Sequence, residues 1–234
     1  MLKKHNVRSR LLDKMAQFAL DKRSYIPFWN LNIVWRSLDK KGESILDVGC
    51  GTGISMRAIL KRKRFYATGA DIYRPNLEDG KEHGHFDECI QCDVRLLPFK
   101  KKSFDIVLAL EVIEHLEKDE ALCLLKEMEA IARKQIILST PVGICPQKPL
   151  EGESPYEEHR SYWNPVHFKG MGYTVRGCGF GYMSGSEFLS PRRLPRFLIP
   201  LRHLVWLLAS PLVYFLPRLA GGMVCTKRLA SRNS

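Results

Sequence analysis

The 234-residue chain lacks the features that would assign it at once to a secreted, repetitive or membrane-spanning class. It has no internal repeat or low-complexity segment, and no apolar stretch follows its basic N-terminus as a secretory signal would require. Its longest apolar run lies within residues 189–219, but Arg202 and two prolines interrupt it, and an arginine rarely stands near the middle of a spanning helix. These absences predict a cytoplasmic chain, long enough for one α/β domain with a sizeable core.

The cysteines do not form the pattern of a disulfide framework or of a metal site. There are seven, an odd number, and they are scattered, which suits a reducing compartment better than a disulfide framework. Cys89 and Cys92 form one C-x-x-C, but no second pair stands at metal-ligand spacing. The sequence therefore predicts no metal site.

Acidic residues are scarce at both ends of the chain. Residues 1–46 carry ten Lys and Arg against four Asp and Glu, and residues 181–234 carry eight against one, within a net charge of +12. Such ends favour an anionic partner, which could be a membrane surface, a nucleic acid or an acidic substrate. A basic surface that is merely solvated explains the charge equally well.

The most informative segment is Ile45–Gly53, which reads I-L-D-V-G-C-G-T-G. Its apolar start is typical of a strand buried on both faces, and residues 54–61 after it are compatible with a helix. Strand, glycine turn and helix form the nucleotide-binding arrangement of an open α/β sheet, with the ligand at the carboxyl end of the strand. Glycines let the chain turn sharply and let a ligand approach the main chain.

The spacing within this turn separates two classes of cofactor. A dinucleotide fingerprint reads G-x-G-x-x-G, but here Gly53 comes one residue early and Ile54 occupies the place of the third glycine. Asp47 precedes the glycines, where it would repel a phosphate and attract an ammonium. The motif D-V-G-C-G-T-G resembles the first motif of class I (Rossmann-like) S-adenosylmethionine-dependent methyltransferases of type 11. The resemblance implies S-adenosylmethionine as cofactor, S-adenosylhomocysteine as product, and cofactor contacts from Asp47, Gly49, Cys50, Gly51 and Gly53.

Further cofactor contacts are implied at the ends of the next strands. Asp71 follows the glycines by some twenty residues and would accept hydrogen bonds from the ribose hydroxyls, or else cap a helix. The resemblance assigns the adenine to Asp93 and Val94, with Ile72 packing on the ring. It places Glu111 near the methionine end.

The predicted fold is a doubly wound α/β domain. Its seven-stranded, mostly parallel sheet has helices on both faces, and the resemblance implies the order 3-2-1-4-5-7-6 with an antiparallel last strand. A helical cap at residues 1–41, with a helix around Leu11–Ala19 and a second opening at Pro27, precedes the Rossmann-like core of residues 42–180 and 220–230. Strands are predicted at Ser44–Val48, Tyr66–Ala70, Glu88–Cys92, Phe104–Leu110, Gln135–Ser139, Gly172–Phe180 and Gly222–Lys227.

Two histidines are candidates for catalysis. His115 closes an E-x-x-E-H pattern after the fourth strand, where it would act as a base or hydrogen-bond locally to fix the loop. His159 lies in the loop Pro155–Trp163, which should stand above the carboxyl edge of the sheet. In that loop Arg160 could pair with carboxylates and Trp163 could pack on the next helix instead of meeting substrate.

An apolar insertion at residues 181–219 separates the last two strands. Its prolines predict two short helices broken at Ser210-Pro211, flanked by arginines. They would pack on the sheet, contact a lipid-like substrate or an anionic membrane surface through residues 189–219, or meet a second copy of the chain.

The sequence therefore predicts an S-adenosylmethionine-dependent methyltransferase, EC class 2.1.1, acting on a small-molecule or lipid-like acceptor. The basic ends keep an RNA or protein methyltransferase open, although no RNA-binding module is recognisable and nucleic acid is not favoured. A non-catalytic cofactor-binding module at a membrane is the remaining alternative. The chain would be a monomer or a homodimer.

Overall fold

The computed structural model describes residues 24–147, 156–180 and 199–230. The predicted helix at Leu11–Ala19 lies outside these residues, as does the first part of the apolar insertion. The helices are α1 Asn30–Ser37, α2 Ile54–Leu60, α3 Arg74–Glu82, α4 Lys118–Ile131, α5 Pro165–Gly170 and α6 Ile199–Phe215. Short 3₁₀ turns span Ile113–His115 and Pro217–Leu219.

Seven strands form one sheet in the order β3-β2-β1-β4-β5-β7-β6, which confirms the predicted topology. The first five strands pair in parallel, and β7 runs antiparallel to both β5 and β6. The strands are β1 Ser44–Val48, β2 Tyr66–Asp71, β3 Glu88–Gln91, β4 Phe104–Leu110, β5 Ala132–Pro141, β6 Thr174–Phe180 and β7 Ala220–Arg228.

The central strand β1 is buried on both faces, as its apolar run predicts. Leu46 and Val48 pack into the cluster under α4, while Ile45 packs into the cluster on the other face. Because successive side chains of a strand point to opposite faces, one continuous apolar strand serves two layers of helices. The chain order reverses between β1 and β4, and the carboxyl ends of these strands therefore border the crevice where open α/β sheets bind ligands.

The first described helix begins later than predicted. The sequence placed its start at Pro27, but Phe28 has a φ of 64° and Trp29 is extended, so α1 starts at Asn30. A bulky residue at positive φ cannot continue a right-handed helix. This turn places Asn30 next to the carboxyl edge of the sheet, where it contacts Glu111.

The described part of the insertion contains one continuous helix, which runs past the position where a break between two helices was predicted. α6 runs through Pro211, and the backbone N–H of Leu216 still donates to the carbonyl of Leu212 at 2.9 Å. The prediction of a break at Ser210-Pro211 was wrong because tertiary packing outweighs the lost hydrogen bond. Val213 is fully buried on β6, where Gly177 leaves room for its carbonyl. Within the described ranges, no helix combines the length and the apolar character needed to cross a membrane.

The close approach of α6 to β6 depends on Gly177. A Cβ at this position would stand 2.3 Å from the carbonyl oxygen of Val213 and 2.8 Å from the Cβ of Ala220. Gly177→Ala should therefore lower the free energy of unfolding in urea by about 1–3 kcal/mol, because backbone must move to admit the methyl group. Gly170→Ala is the control, since a Cβ there meets nothing within 4 Å. Equal stability of the two variants would contradict this account of the docking.

Candidate active site

A cavity of about 340 Å³ opens at the carboxyl edge of the sheet, over the ends of β1, β2 and β4. This volume lies within the range of small-molecule sites, and the position is that of the ligand crevice in open α/β sheets. The lining residues that bear on function are Gly49, Gly51, Asp71, Ile72, Asn76, Asp93, Val94, Arg95, Glu111, Val112, His115, Glu120, Tyr156 and Arg160.

The glycine turn forms one wall of this cavity. Its three glycines all have positive φ: 64° at Gly49, 52° at Gly51 and 77° at Gly53. A Cβ at Gly49 would stand 2.7 Å from Val112, and one at Gly53 would stand 2.4 Å from Phe86. At Gly51 a Cβ would meet nothing within 4 Å, because this residue faces the open cavity. Two glycines therefore serve packing, and Gly51 leaves the main chain open to a ligand.

The end of β2 holds the glycine turn in place. The carbonyl of Ala70 accepts hydrogen bonds from the N–H groups of Gly49 (2.7 Å) and Cys50 (3.1 Å). The carboxylate of Asp71 accepts one from Gly51 (2.8 Å) and another from Tyr73 (2.8 Å). Asp71 is not the cap of α3, whose N-cap is Tyr73. Its two oxygens retain lone pairs on the cavity side, so the predicted ribose contact stays a prediction that this geometry permits.

Asp47 lies under the turn and does not line the cavity. It is 2% exposed, and burial, followed by the nearby charge of Asp71, raises its pKa to about 7. A buried carboxyl with this environment gains from a cation placed beside it. Its predicted contact with the cofactor's ammonium stays a prediction. The sulfur of Cys50 points instead toward Gly69 of β2, at 2.8 Å from where a Cβ would be.

Arg95 joins two acidic residues on the side of the cavity where the sequence predicts the adenine. Its Nε lies 3.0 Å from each oxygen of Asp93, and its Nη1 lies 3.0 Å from Glu120. The hydrogen bond from Arg95 lowers the pKa values of both carboxyls, which therefore stay ionised. Sequence reasoning found Asp93 and missed Arg95 and Glu120, because the Arg95–Glu120 contact crosses from a loop to α4.

Glu111 combines backbone strain with polar contacts. It has a φ of 56°, which is rare outside glycine and marks positions that the surrounding structure over-determines. Its Oε1 accepts hydrogen bonds from Ser139 (2.6 Å) and Asn30 (3.2 Å). A strained carboxylate at the mouth of a ligand crevice indicates a functional position. Asn30 and Ser139 were not predicted from the sequence, because neither residue lies in a recognisable motif.

The two predicted catalytic histidines meet. Their ring centroids are 4.9 Å apart. Each Nδ1 is hydrogen-bonded to a backbone carbonyl oxygen, that of Glu158 for His115 (3.2 Å) and that of Cys145 for His159 (2.5 Å). Burial lowers the pKa of His115, so its imidazole is neutral at neutral pH. His115 lines the cavity and is also fixed locally, so neither sequence alternative excludes the other.

The loop that carries His159 is clamped onto the 3₁₀ turn Ile113–His115. The N–H groups of Arg160 and Ser161 donate to the carbonyl of Glu114 at 2.7 and 3.0 Å. Tyr156 and Arg160 line the cavity. Trp163 is fully buried with its ring 5.2 Å from Phe168 of α5, which confirms that it packs on the next helix.

The strand order and the glycine crevice define an open α/β cofactor-binding domain of the Rossmann-like type. Residues 46–138 match the family model described as a methyltransferase domain. This part of the chain is therefore similar to a methyltransferase domain, and S-adenosylmethionine is the cofactor that the match supports.

Two curated relatives match part of the same region. The Ubiquinone biosynthesis O-methyltransferase of Neisseria meningitidis serogroup C is 31% identical over 91 residues, which are 36% of this chain and 38% of that protein. The Probable tRNA methyltransferase 9B of Homo sapiens is 31% identical over 93 residues, which are 39% of this chain and 19% of that protein. The match therefore spans well under half the length of either relative.

A solved structure extends the likeness in fold. The magnesium protoporphyrin IX methyltransferase of Synechocystis PCC 6803, with bound S-adenosylhomocysteine, has a TM-score of 0.52 and 13% sequence identity. The comparison covers 98% of this chain and 90% of that one. At this identity the likeness concerns the fold.

The raised pKa of Asp47 predicts a specific pH dependence of stability. Between the unfolded value near 4 and the folded value of about 7, the native state holds a proton that the unfolded state has lost. The free energy of unfolding should therefore fall as pH rises across this interval. Relative to wild type, Asp47→Asn should gain about 2–4 kcal/mol from pH 4 to pH 7 and nothing more above it.

Urea unfolding at several pH values measures this gain. Glu127→Gln on α4 is the control, because the Glu127 side chain is exposed. A stability difference between Asp47→Asn and wild type that does not change with pH would contradict the assignment.

Proposed function

We propose that the chain is an S-adenosylmethionine-dependent methyltransferase acting on a small-molecule or lipid-like acceptor. The observation that carries the proposal is one cavity that is lined both by residues predicted to bind the cofactor and by a residue predicted to act on the acceptor. Gly51, Asp71 and Asp93 line it together with Glu111 and His115.

The proposed cofactor contacts follow the chemistry of S-adenosylmethionine. The carboxylate of Asp71 would accept hydrogen bonds from the two ribose hydroxyls. The carboxylate of Asp93 would accept one from the adenine amino group. The open main chain at Gly51 would admit the methionine end, whose ammonium gains from the buried Asp47 beneath the turn. No phosphate-binding helix terminus is needed, which agrees with the departure from the dinucleotide fingerprint.

The reaction places modest demands on the protein. The sulfonium is already a good leaving group, so aligning the acceptor with the methyl and excluding water supplies much of the rate. A base is needed only where the acceptor is protonated at working pH. The neutral His115, with Nδ1 bound to a carbonyl, keeps an Nε2 lone pair for that role, and His159 is the second candidate.

The surface of α6 supports an apolar acceptor. Leu204, Leu208, Leu212 and Phe215 follow one another at helical spacing and are all exposed, Leu208 by 71%. The other side of the helix reaches toward the site, since Tyr214 packs on Phe28, two residues before Asn30. The name of the Neisseria relative also points to a lipid-like acceptor. The same face would suit an anionic membrane surface.

RNA is the second candidate acceptor. The net charge of +12 and the name of the human relative favour it, and salt-sensitive binding would be its mark. Cofactor binding without transfer to any acceptor would instead indicate the non-catalytic module.

Isothermal titration tests the cofactor half of the proposal. S-adenosylmethionine should bind wild type, and Asp71→Ala should weaken binding about tenfold or more, because charge-assisted hydrogen bonds and the support of Gly51 are lost together. Asp79→Ala, on the neighbouring helix, is the control. Absence of heat with folded wild type would refute the proposal.

Transfer of a radiolabelled methyl group to cell extract tests the acceptor half. Label should appear in the lipid or small-molecule fraction, and Leu208→Glu should reduce transfer to lipid severalfold without changing cofactor affinity, because a charge on the apolar face opposes docking. Val166→Glu, at an exposed apolar position on α5, is the control. Label confined to RNA or protein would refute the proposed acceptor class and establish the alternative.

A further inference from the structure

Three side chains that can bind a metal converge beside the cavity. The ligand atoms of Glu114, His115 and His159 all lie within 4.8 Å of one another. Glu114 and His115 belong to the 3₁₀ turn after β4, and His159 comes from the clamped loop, 44 residues later. The spacing of the cysteines predicted no metal site. This group was not found from the sequence because tertiary contact brings its members together.

Glu114 is the least satisfied member of the group. It is 2% exposed and makes no hydrogen bond of ordinary geometry among the residues that the structure describes. The polar side chains beside it are the hydroxyl of Thr140 and a second carboxyl, Glu111. A buried carboxyl with so few donors carries a large desolvation cost unless a proton or a cation accompanies it. Burial, followed by the charge of Glu111, raises its pKa well above the usual range.

Both histidines present the ring nitrogen that a metal requires. A carbonyl oxygen can only accept, so Nδ1 of His115 donates to Glu158 and Nδ1 of His159 donates to Cys145. Each neutral imidazole then carries its lone pair on Nε2. Metal-ligating histidines commonly have this arrangement, with the other ring nitrogen fixed by a carbonyl or carboxylate.

The backbone brings these ligands together without a metal. Besides the two hydrogen bonds from Arg160 and Ser161 to the carbonyl of Glu114, the Ser161 hydroxyl donates to the carbonyl of Ile113 at 3.0 Å. The ligand set is therefore held in advance on the two segments that carry it, which reduces the ordering cost of binding.

We propose that Glu114, His115 and His159 bind a first-row divalent transition cation such as Zn²⁺ or Mn²⁺. Two imidazoles and one carboxylate favour these ions over Mg²⁺ and Ca²⁺, which prefer oxygen ligands throughout. Glu111 adds a second carboxyl next to Glu114 and strengthens the local field for a cation.

The site would also act on the acceptor, a consequence that rests on the proposed function. Three protein ligands leave coordination positions free, and His115 lines the cavity. With its Nε2 on the cation, His115 would no longer serve as the base. A hydroxyl of the acceptor bound to the cation would instead lose its proton to solvent more readily. Its oxygen would form the new bond to the methyl carbon, while the carbon–sulfur bond breaks and its electron pair returns to the thioether sulfur.

Metal titration of untagged, chelator-stripped protein tests the site without cofactor. Isothermal titration should show one Zn²⁺ or Mn²⁺ per chain, and elemental analysis after gel filtration should find the ion retained. His115→Gln and His159→Gln should each weaken binding about tenfold to a hundredfold. His83→Gln is the control, because His83 is half-exposed on α3 and should leave affinity unchanged.

Glu114→Gln separates ligand loss from misfolding. It replaces the ionisable carboxyl by an amide of the same shape, so we expect a native circular dichroism spectrum, an undiminished thermal midpoint without metal, and binding weakened at least tenfold. Folded wild type that binds neither ion, or folded histidine variants that bind as wild type does, would overturn the proposal. Cofactor titration of the same stripped protein is scored separately: metal binding without S-adenosylmethionine binding would refute the proposed function and leave the site standing.

Discussion

The attachment of the glycine turn to the end of β2 is the interaction on which the site depends. The carbonyl of Ala70 and the carboxylate of Asp71 accept three backbone N–H groups of the turn, so its left-handed glycines are held by the neighbouring strand. This attachment fixes Gly51 at the open cavity and keeps Asp71 beside it. It also gives the acid some twenty residues after the glycines a structural role, because Asp71 holds Gly51, in addition to its predicted ribose contact.

The same edge of the sheet gathers carboxyl groups, and only some of them have a cationic partner in the described structure. Arg95 satisfies Asp93 and Glu120, whereas Asp47 and Glu114 are buried and have raised pKa values. Burial of such groups costs stability unless a cation arrives. An ammonium at the glycine turn and a dication at the histidine pair would answer these two costs separately. Both proposed ligands would thus place a positive charge beside a buried carboxyl at this edge of the sheet.

Apolar runs and turn residues in the sequence predicted the strands whose bounds depend on local sequence alone. The bounds of β1 and β4 agree with prediction, because apolar runs ended by glycine or charge leave little choice. The Arg95–Glu120 pair and the meeting of His115 with His159 depend on how loops dock on distant elements, and no spacing in the chain encodes that. The break predicted at Pro211 failed for the converse reason: packing on β6 outweighed a strong local signal.

The structure also changes how the alternatives for the insertion relate to one another. Packing on the sheet, apolar contact and self-association appeared as competing readings, but a helix has more than one face. Val213 is buried on β6, while Leu208 and Leu212 on the same helix are exposed. The side of the helix that carries Val213 packs on the sheet. The side that carries Leu208 and Leu212 is exposed and could contact an apolar ligand. Tyr214 at the docked side packs on Phe28, close in the chain to the Asn30 that contacts Glu111, so the docked side of this helix adjoins the segment that borders the site.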